Sequence, residues 1–350
     1  MNTIEQYGWN NSWEEKLNGS GIAGRVLLEH KHLYRVITNE GEWLCTLSGK
    51  FKFEQERESF PAVGDWVVLE KMPGEEKGII HGVLPRASQF ARKVAGTTTE
   101  IQLVAVNVDY VFLVMSLNYD FNLRRLERYL LAAWDSGAMP IIVLTKKDMC
   151  EDLAYYLSEV ESIAFGVDVY TVSSVTGEGI EQLSHLLENG RTGALLGSSG
   201  VGKSSLINAL SGKEVMAVSD IREDDSKGRH TTTHRELTLL SGGGLLIDTP
   251  GMREFQLWDN SEGVSASFQD IEELALTCRF RDCEHKKEPG CAVQEAIQNG
   301  SLKIERYKSY IKLLRELAHI ERKNDLAAQK VERDKWKQLS KSQKGYKKKR

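Results

Sequence analysis

The stretch 197–205, with the sequence GSSGVGKSS, constrains the fold more than any other part of this 350-residue chain. It matches G-x-x-x-x-G-K-[ST], the phosphate-binding loop. The apolar run 193–196 before it predicts a buried strand, and 204–210 after it predicts the first turns of a helix. A glycine-rich turn at this junction directs backbone N–H groups at phosphate oxygens. We therefore expect an α/β domain that binds a nucleotide, against the alternative of a glycine turn without a ligand.

The chemistry of this phosphate loop assigns a role to each position. Lys203 places a positive charge at the β- and γ-phosphates, and the Ser204 hydroxyl is a ligand for Mg²⁺. The predicted nucleotide contacts are Gly197, Ser198, Ser199, Gly200, Val201, Gly202, Lys203, Ser204 and Ser205.

A second motif indicates which base is bound. Thr145, Lys146, Lys147 and Asp148 follow the apolar run 140–144 and resemble the Asn/Thr-Lys-x-Asp motif of GTPases. The Asp148 carboxylate would accept two N–H donors that guanine presents and adenine lacks, and the Lys146 stem would lie along the base. Thr145 replaces the commoner Asn with a hydroxyl that can still make one hydrogen bond. All four residues are predicted to bind GTP.

The sequence Ser173-Ser174-Val175 follows the next predicted strand, 167–172, and resembles the Ser-Ala-x loop of GTPases. In that role the Ser174 N–H would meet the guanine O6, so Ser173 and Ser174 join the predicted GTP site. A plain strand-to-helix turn is the alternative for this stretch.

The sequence Asp248-Thr249-Pro250-Gly251 matches Asp-x-x-Gly, which senses the γ-phosphate. Asp248 would hold Mg²⁺ through water, and the Gly251 N–H would bond the γ-phosphate. The polar loop 220–234 is the expected mobile switch, and its three threonines, 231–233, offer a further Mg²⁺ ligand. Comparison with the switch loops of related GTPases favours Thr232.

The residue after Gly251 is Met252, where many GTPases carry the Gln that orients the attacking water. A thioether cannot align a water, so the basal rate of hydrolysis is expected to be modest. His230, beside the switch threonines, is the candidate catalytic residue, and a solvent-exposed loop histidine is the alternative.

The motifs occur in an unusual order, because the base-reading motifs at 145–148 and 173–175 precede the phosphate loop at 197–205. This order indicates a circular permutation, which close chain termini permit. The chain after the Asp-x-x-Gly motif then leads directly into the C-terminal region. We hypothesise that the γ-phosphate state is transmitted along that connection.

Cys278, Cys283, His285 and Cys291 form the pattern Cys-x₄-Cys-x-His-x₅-Cys. Three thiolates and one imidazole supply a closed tetrahedral set of ligands, which predicts one structural Zn²⁺. Scattered reduced cysteines are the alternative. Basic and aromatic neighbours such as Arg279 and Phe280 favour contact with RNA.

The N-terminal third reads as short strands separated by Gly, Asn and Pro, which suggests a small closed barrel such as the oligonucleotide/oligosaccharide-binding (OB) fold. Barrels of this kind often bind RNA, and a purely structural barrel is the alternative. Arg86, Arg92 and Lys93 interleave with Phe90 and favour nucleic acid. The candidate strands are 24–29, 33–38, 42–47, 65–70 and 78–84.

Composition and charge indicate where the protein acts and what kind of partner it binds. The first residues lack the apolar run of a signal peptide, and no apolar stretch is long enough to span a bilayer, so a cytoplasmic protein with no membrane partner is expected. The formal net charge is −4, yet 322–350 contains 12 Lys and Arg against 3 Asp and Glu. A basic tail on an acidic body favours a polyanionic partner, while a solubilising tail is the alternative.

Taken together, the barrel, the permuted motifs and the Cys-x₄-Cys-x-His-x₅-Cys pattern resemble the ribosome small subunit-dependent GTPase A (RsgA) family over nearly the full length. The resemblance implies an OB-fold barrel, a permuted α/β P-loop GTPase domain and a helical zinc domain. The expected segments are an N-terminal segment 1–20, the barrel 21–96, the GTPase domain 97–260, the zinc domain 261–336 and a basic tail 337–350.

The resemblance further implies a monomeric factor that binds GTP and GDP, the 30S ribosomal subunit and rRNA, and acts late in maturation of that subunit. Its hydrolysis would be stimulated by the subunit, with a switch-loop histidine, here His230, as catalytic residue. Two other hypotheses remain open: a nucleotide-gated rRNA-binding adaptor whose hydrolysis is incidental, and a metabolic or transport ATPase, against which Asp148 argues.

Overall fold

The structure is a computed structural model. It describes residues 3–19, 21–55, 59–93, 101–164, 166–212, 235–248, 268–286, 288–304, 306–315 and 318. The chain divides into two compact units. The first comprises 1–95 and 99–256, and the second comprises 96–98 and 257–350.

The first unit begins with a short 3-10 helix, Ile4–Tyr7, and helix α1, Asn11–Leu17. The Asn10 side chain caps α1 by accepting a hydrogen bond from the Ser12 N–H, at 3.0 Å. Trp9 packs edge-on against Trp66 with ring centroids 4.8 Å apart, and Trp13 lies on the same ring at 5.8 Å. The N-terminal segment is thus an aromatic cap on the strands that follow.

A five-stranded closed barrel follows, as the sequence predicts. Its order is β1-β2-β3-β5-β4, and β4 pairs back with β1 to close it. The β3–β5 pair is parallel and the other pairs are antiparallel, because helix α2 carries the chain from β3 to β4 across the barrel. The elements are β1 Ile22–His30, β2 Leu33–Thr38, β3 Gly41–Leu47, α2 Gly49–Glu54, β4 Trp66–Lys71 and β5 Lys77–Val83.

A hairpin that the sequence reasoning missed joins the barrel to the rest of the unit. It consists of β6, Gln89–Lys93, and β7, Ile101–Val106, which pair antiparallel. Phe90 is 1% exposed, and the Arg86 guanidinium is bound to the Asp65 carboxylate. Phe90 and Arg86 therefore do not support the interpretation that this stretch contacts nucleic acid, because Phe90 fills the core and Arg86 neutralises a buried charge.

The rest of the first unit is a sheet with helices on both faces, as expected for the α/β domain that the phosphate loop predicts. Its order is β12-β13-β11-β8-β9-β10, and every neighbouring pair is parallel except β12–β13. The elements are β8 Tyr110–Ser116, α3 Leu123–Asp135, β9 Met139–Thr145, α4 Leu153–Glu161, β10 Val169–Thr171, α5 Ile180–Leu186, β11 Thr192–Leu196, α6 Lys203–Ser211, β12 Glu236–Leu239 and β13 Leu245–Asp248.

Burial explains these elements. All seven residues of β8 are buried, as expected of a central parallel strand covered on both faces. Leu126, Leu130 and Ala133 recur at helical spacing in the sequence, and helix α3 places all three in the core on one side of the sheet. On the other side, Leu206 and Leu210 of α6 pack with Phe112 of β8. No helix among the described residues is long and apolar enough to cross a bilayer.

The barrel and the α/β sheet are continuous, which the sequence did not reveal. Strand β1 pairs antiparallel with β12 at Leu28 and Glu236, so 11 of the 13 described strands form one sheet, while β6 and β7 form a separate pair. Arg35 on β2 forms an ion pair with Glu236 across this junction. Buried Arg25 donates hydrogen bonds to the carbonyls of Tyr7, Gly64 and Asn107, and so links the N-terminal cap, the barrel and the residue after β7.

The second unit contains helix α7, Gln269–Leu276, helix α8, Ala292–Gln298, and a further helical stretch, 306–315. The helical spacing of Ile304, Tyr307, Ile311, Leu314 and Leu317 in the sequence predicts an apolar stripe packed on the domain, but Ile304 and Leu314 are 44% and 37% exposed. Tyr310 and Leu313 are buried instead. The helix is turned because Arg306 lies inside, where its guanidinium pairs with Asp270 and covers the Phe268 ring.

Candidate functional site

The phosphate loop leaves the carboxyl end of β11 and enters α6, as the sequence predicts. A Cβ atom at Gly197 would overlap the Val114 carbonyl oxygen of the neighbouring strand β8, so no larger residue fits there. Gly200 and Gly202 have φ of +79° and +91°, a backbone region that other residues rarely adopt. The glycines therefore shape the loop, and the N-terminus of the nine-residue helix α6 faces its concave side.

Lys203 is the first residue of α6, and its side chain folds back over the loop. Its Nζ donates hydrogen bonds to the carbonyl oxygens of Gly197 at 2.7 Å and Ser198 at 2.5 Å. Ser204 and Ser205 are half-buried in the first turn of α6. The ammonium group is thus held at the mouth of the loop.

Thr145 ends β9 and reaches the phosphate loop. Its buried hydroxyl donates a hydrogen bond to the Val201 carbonyl at 2.6 Å. The Thr145 hydroxyl is therefore directed at the protein backbone. Thr145 ties the base-reading motif to the phosphate loop.

Asp148 and Ser173 belong to separate motifs and meet in space. The Ser173 hydroxyl donates to Asp148 Oδ1 at 2.6 Å, while Ser173 Oγ accepts from the N–H groups of Val175 at 3.2 Å and Thr176 at 3.1 Å. The hydroxyl is buried and the Asp148 side chain is exposed. Ser173 therefore orients an accessible carboxylate, which is what recognition of two N–H donors on a base requires.

Lys146 and Lys147 support the same loop. Lys146 adopts a left-handed backbone with φ of +60°, which turns the chain from β9 into the short helix Lys147–Met149. Lys147 forms an ion pair with Glu178, whose own carbonyl accepts from the Ser173 N–H at 3.0 Å. These contacts join the loop after β9 to the loop after β10.

The sheet order brings the motifs together. Strands β8, β9, β10, β11 and β13 are parallel, so their carboxyl ends lie at one edge, where ligands bind in open α/β sheets. Ser174 follows Ser173 at this edge, and the backbone of Asp248 ends β13 there. His230, Thr232 and Gly251 lie outside the described residues, as does the basic tail.

Two residues at the same edge were missed by the sequence reasoning. Asp120 and Arg125 flank the start of α3, and the Arg125 guanidinium contacts both the Asp120 carboxylate and the Ser198 hydroxyl of the phosphate loop. Their position after β8, a buried strand of the predicted parallel sheet, was the available signal.

The second unit gathers all four predicted metal ligands. One ligand atom from each of Cys278, Cys283, His285 and Cys291 lies within 4.8 Å of all the others. His285 Nδ1 is 3.5 Å from Cys278 Sγ and 3.4 Å from Cys291 Sγ, and those two sulfurs are 3.9 Å apart. A tetrahedron with Zn–S of about 2.3 Å and Zn–N of about 2.0 Å has S–S edges of about 3.8 Å and S–N edges of about 3.5 Å. The donor set therefore fits a zinc site.

Surrounding hydrogen bonds hold these ligands in place. The His285 carbonyl accepts from Gln294 Nε2 at 2.6 Å and from the Tyr307 hydroxyl at 2.7 Å. Burial would raise the pKa of Cys278, but hydrogen bonds from the N–H groups of residues 293 and 292, at the start of α8, and from the Cys291 and Cys283 side chains together lower the pKa. Donors aimed at this sulfur favour the thiolate that a metal requires.

Together, a phosphate loop, an accessible carboxylate oriented by Ser173 in a motif typical of GTPases and the late position of the loop in the chain define a circularly permuted GTPase. A family model described as RsgA GTPase matches residues 83–258. The chain belongs to the RsgA GTPase family. A model described as ABC transporter matches 180–345, a shorter stretch that includes the phosphate loop.

Relatives and solved structures agree with this assignment. Small ribosomal subunit biogenesis GTPase RsgA 1 of Listeria innocua is 49% identical over 97% of this chain and 96% of its own length. Its namesake from Oceanobacillus iheyensis is 46% identical over 95% and 96%. The crystal structure of YjeQ from Thermotoga maritima superposes with a TM-score of 0.63 at 30% identity, over 85% of this chain and 98% of that one. YloQ, a circularly permuted GTPase, superposes with 0.64 at 28% identity, over 86% and 96%.

Proposed function

We propose that this GTPase binds the small (30S) ribosomal subunit through rRNA and acts late in its maturation. We further propose that the subunit stimulates GTP hydrolysis and that hydrolysis is coupled to release. The names of the relatives supply the ribosomal assignment. The observation that carries the nucleotide assignment is the Asp148 carboxylate, which is oriented by Ser173 at the sheet edge that also holds the phosphate loop.

In this proposal the two base-reading loops bind guanine and the phosphate loop binds the phosphates. Lys203 lies at the mouth of the loop, from which its ammonium group would turn to the β- and γ-phosphates. The GTP site comprises Thr145, Lys146, Lys147, Asp148, Ser173, Ser174, the phosphate loop 197–205 and Gly251.

Ser204, Thr232 and Asp248 would hold Mg²⁺, which neutralises charge on the phosphates when it is bound. The Ser204 hydroxyl stands in the first turn of α6, next to Lys203. Met252 cannot orient water, so His230 is proposed to do so, with the ribosomal subunit raising a modest basal rate.

For the second unit we propose one structural Zn²⁺ on Cys278, Cys283, His285 and Cys291. Four protein ligands leave no open position for catalysis. The metal would fix the turn between α7 and α8, a polar region with few buried apolar side chains.

The remaining assignments are proposals about organisation. We propose a monomeric cytoplasmic protein with an N-terminal segment 1–20, a barrel 21–96, a GTPase domain 97–260, a zinc domain 261–336 and a basic tail 337–350. The zinc domain, the barrel and the tail are the candidate rRNA contacts, and the tail is favoured by its excess of Lys and Arg.

The decisive experiment measures GTP hydrolysis with and without purified small subunits, in the intact protein and in Lys203→Ala. We expect strong stimulation by the subunit and loss of turnover in the variant. Subunit binding that depends on the nucleotide, but without stimulated turnover, would favour the rRNA-binding adaptor. Competition of unlabelled ATP with GTP as effectively as GTP itself would contradict the role of Asp148.

A further inference from the structure

The loop between β8 and α3 presents a charged pair to the phosphate loop. Arg125 Nη1 lies 2.9 Å and 2.8 Å from the two carboxylate oxygens of Asp120, and the same nitrogen contacts the Ser198 hydroxyl. The Arg125 and Asp120 side chains are 31% and 37% exposed, so this is a partly screened cluster at the ligand edge of the sheet.

The position of this pair is fixed by its own loop. Asn118 Oδ1 accepts from the Ser116 hydroxyl at 2.7 Å and from the Asp120 N–H at 3.1 Å. Asn122 caps α3 by accepting from the Arg125 N–H at 3.0 Å, and Phe121 packs edge-on against Tyr156. These hydrogen bonds fix the backbone of the turn on both sides of Asp120. The Asp120 carboxylate can therefore hold the Arg125 guanidinium in one place.

Ser198 receives contacts from two cations. Its side chain accepts from Arg125, and its carbonyl accepts from Lys203 Nζ at 2.5 Å. The peptide between Gly197 and Ser198 is also pressed against β8, since a Cβ at Gly197 would overlap the Val114 carbonyl. A contact that holds Ser198 therefore also holds the start of the phosphate loop and the carbonyl to which Lys203 is bonded.

We propose that Arg125 is a positioning residue of the GTP site, which uses Asp120 as its support and Ser198 as its contact. The guanidinium shares its charge with the carboxylate, so it acts on the loop rather than as a free cation for the γ-phosphate. A planar guanidinium suits this bridging role better than an ammonium group. The consequence is that Arg125 supports binding of GDP and GTP equally.

The test measures the affinities of GDP and of a non-hydrolysable GTP analogue by calorimetry in Arg125→Gln, Ser198→Ala and the double variant. Loss of one partly exposed hydrogen bond predicts that Arg125→Gln weakens both nucleotides alike, by roughly three- to tenfold. The fall in kcat/KM should match the fall in affinity and appear in KM. The double variant should bind no more weakly than Arg125→Gln alone, since both remove one contact.

Arg124→Gln is the matched control, because Arg124 is an exposed arginine on the same turn of α3. It should bind both nucleotides as the unaltered protein does. Weakening of the GTP analogue alone, additive losses in the double variant, or no loss in Arg125→Gln would each overturn the proposal. Ser198→Ala keeps the test available if Arg125→Gln does not fold.

This inference rests on the proposed GTP site, and Lys203→Ala separates the two. If Lys203→Ala binds GTP as tightly as the unaltered protein does, the proposed location of the GTP site is refuted. If Lys203→Ala loses GTP while Arg125→Gln binds it normally, only the role of Arg125 is refuted.

Discussion

Replacing Arg86 by Met would test the buried ion pair at the join between the barrel and the β6–β7 hairpin. The Asp65 side chain is fully buried, and its carboxylate accepts hydrogen bonds from Arg86 Nε at 2.9 Å, Arg86 Nη2 at 2.8 Å and the Ala62 N–H at 2.8 Å. Burial raises the pKa of Asp65 even though Arg86 opposes the rise. The substitution leaves this carboxylate with its backbone donor and without a guanidinium bonded to it, although the buried Arg25 still attracts it electrostatically.

The expected magnitude follows from the geometry. Removing one partner of a buried ion pair costs about 3–5 kcal/mol. The Arg86 side chain is 16% exposed, so water partly screens the ion pair, and we expect a loss at the lower end of this range. With a urea dependence of about 3 kcal/mol per M, a loss of about 3 kcal/mol lowers the unfolding midpoint by about 1 M.

The assay is urea unfolding followed by intrinsic fluorescence, since Trp43 and Trp66 are each 1% exposed and report on the barrel. The double variant Asp65→Leu with Arg86→Met should recover most of the loss, because no charge is then buried. Lys71→Met is the control: Lys71 pairs with Glu40 on the surface, and such pairs contribute about 1 kcal/mol or less.

The effect should also depend on pH. A carboxyl group whose folded-state pKa exceeds the ordinary value of about 3.9 destabilises the folded protein increasingly as the pH rises from that ordinary value to the raised one, and the full cost is present above it. Arg86→Met raises that pKa further, so the difference in unfolding free energy between the two proteins should shrink towards acid pH. If Arg86→Met lowers the free energy of unfolding by less than about 1 kcal/mol, or by the same amount at every pH, this account of Asp65 is refuted.

Three further predictions concern the proposed sites. Asp148→Asn removes a charged acceptor of two N–H donors, so GTP affinity should fall by roughly 100-fold and xanthosine triphosphate should bind better, as competition binding can show; unchanged GTP affinity would contradict guanine recognition here. Thr145→Val leaves the Val201 carbonyl without its hydroxyl partner, and should weaken GDP by roughly three- to tenfold, while Thr145→Ser should not. Equal affinities for Val and Ser variants would show that the bond is dispensable. Cys291→Ser should lower bound zinc well below one per chain in elemental analysis, whereas Cys45→Ser, at a buried barrel cysteine away from the ligand set, should retain it.

Much of the fold could be predicted because its signals are local. The five barrel strands lie within two residues of their predicted bounds, since apolar runs and Gly or Asn turns mark them directly. The Cys and His spacing likewise predicts one ligand cluster, and the structure brings all four side chains together. The phosphate loop and helix α6 follow from glycines, whose freedom of backbone conformation is a property of single residues.

The sequence could not predict contacts between distant residues. Arg35 and Glu236 stand 201 positions apart, and only the folded chain shows that β1 extends the GTPase sheet through β12. The apolar pattern predicts the wrong buried face for the helix over 306–315, because Arg306 occupies a buried position that the pattern assigns to an apolar side chain.

The sequence by itself determined that this protein has a phosphate-loop motif, a carboxylate motif that predicts guanine recognition and four Cys and His side chains that could hold a metal, because each depends on residue types at short spacing. The tertiary structure alone decided how they are held. Thr145 reaches Val201, Ser173 reaches Asp148, and Arg125 reaches Ser198. These hydrogen bonds exist because parallel strands align their carboxyl ends, and that alignment is set by the packing of the whole sheet.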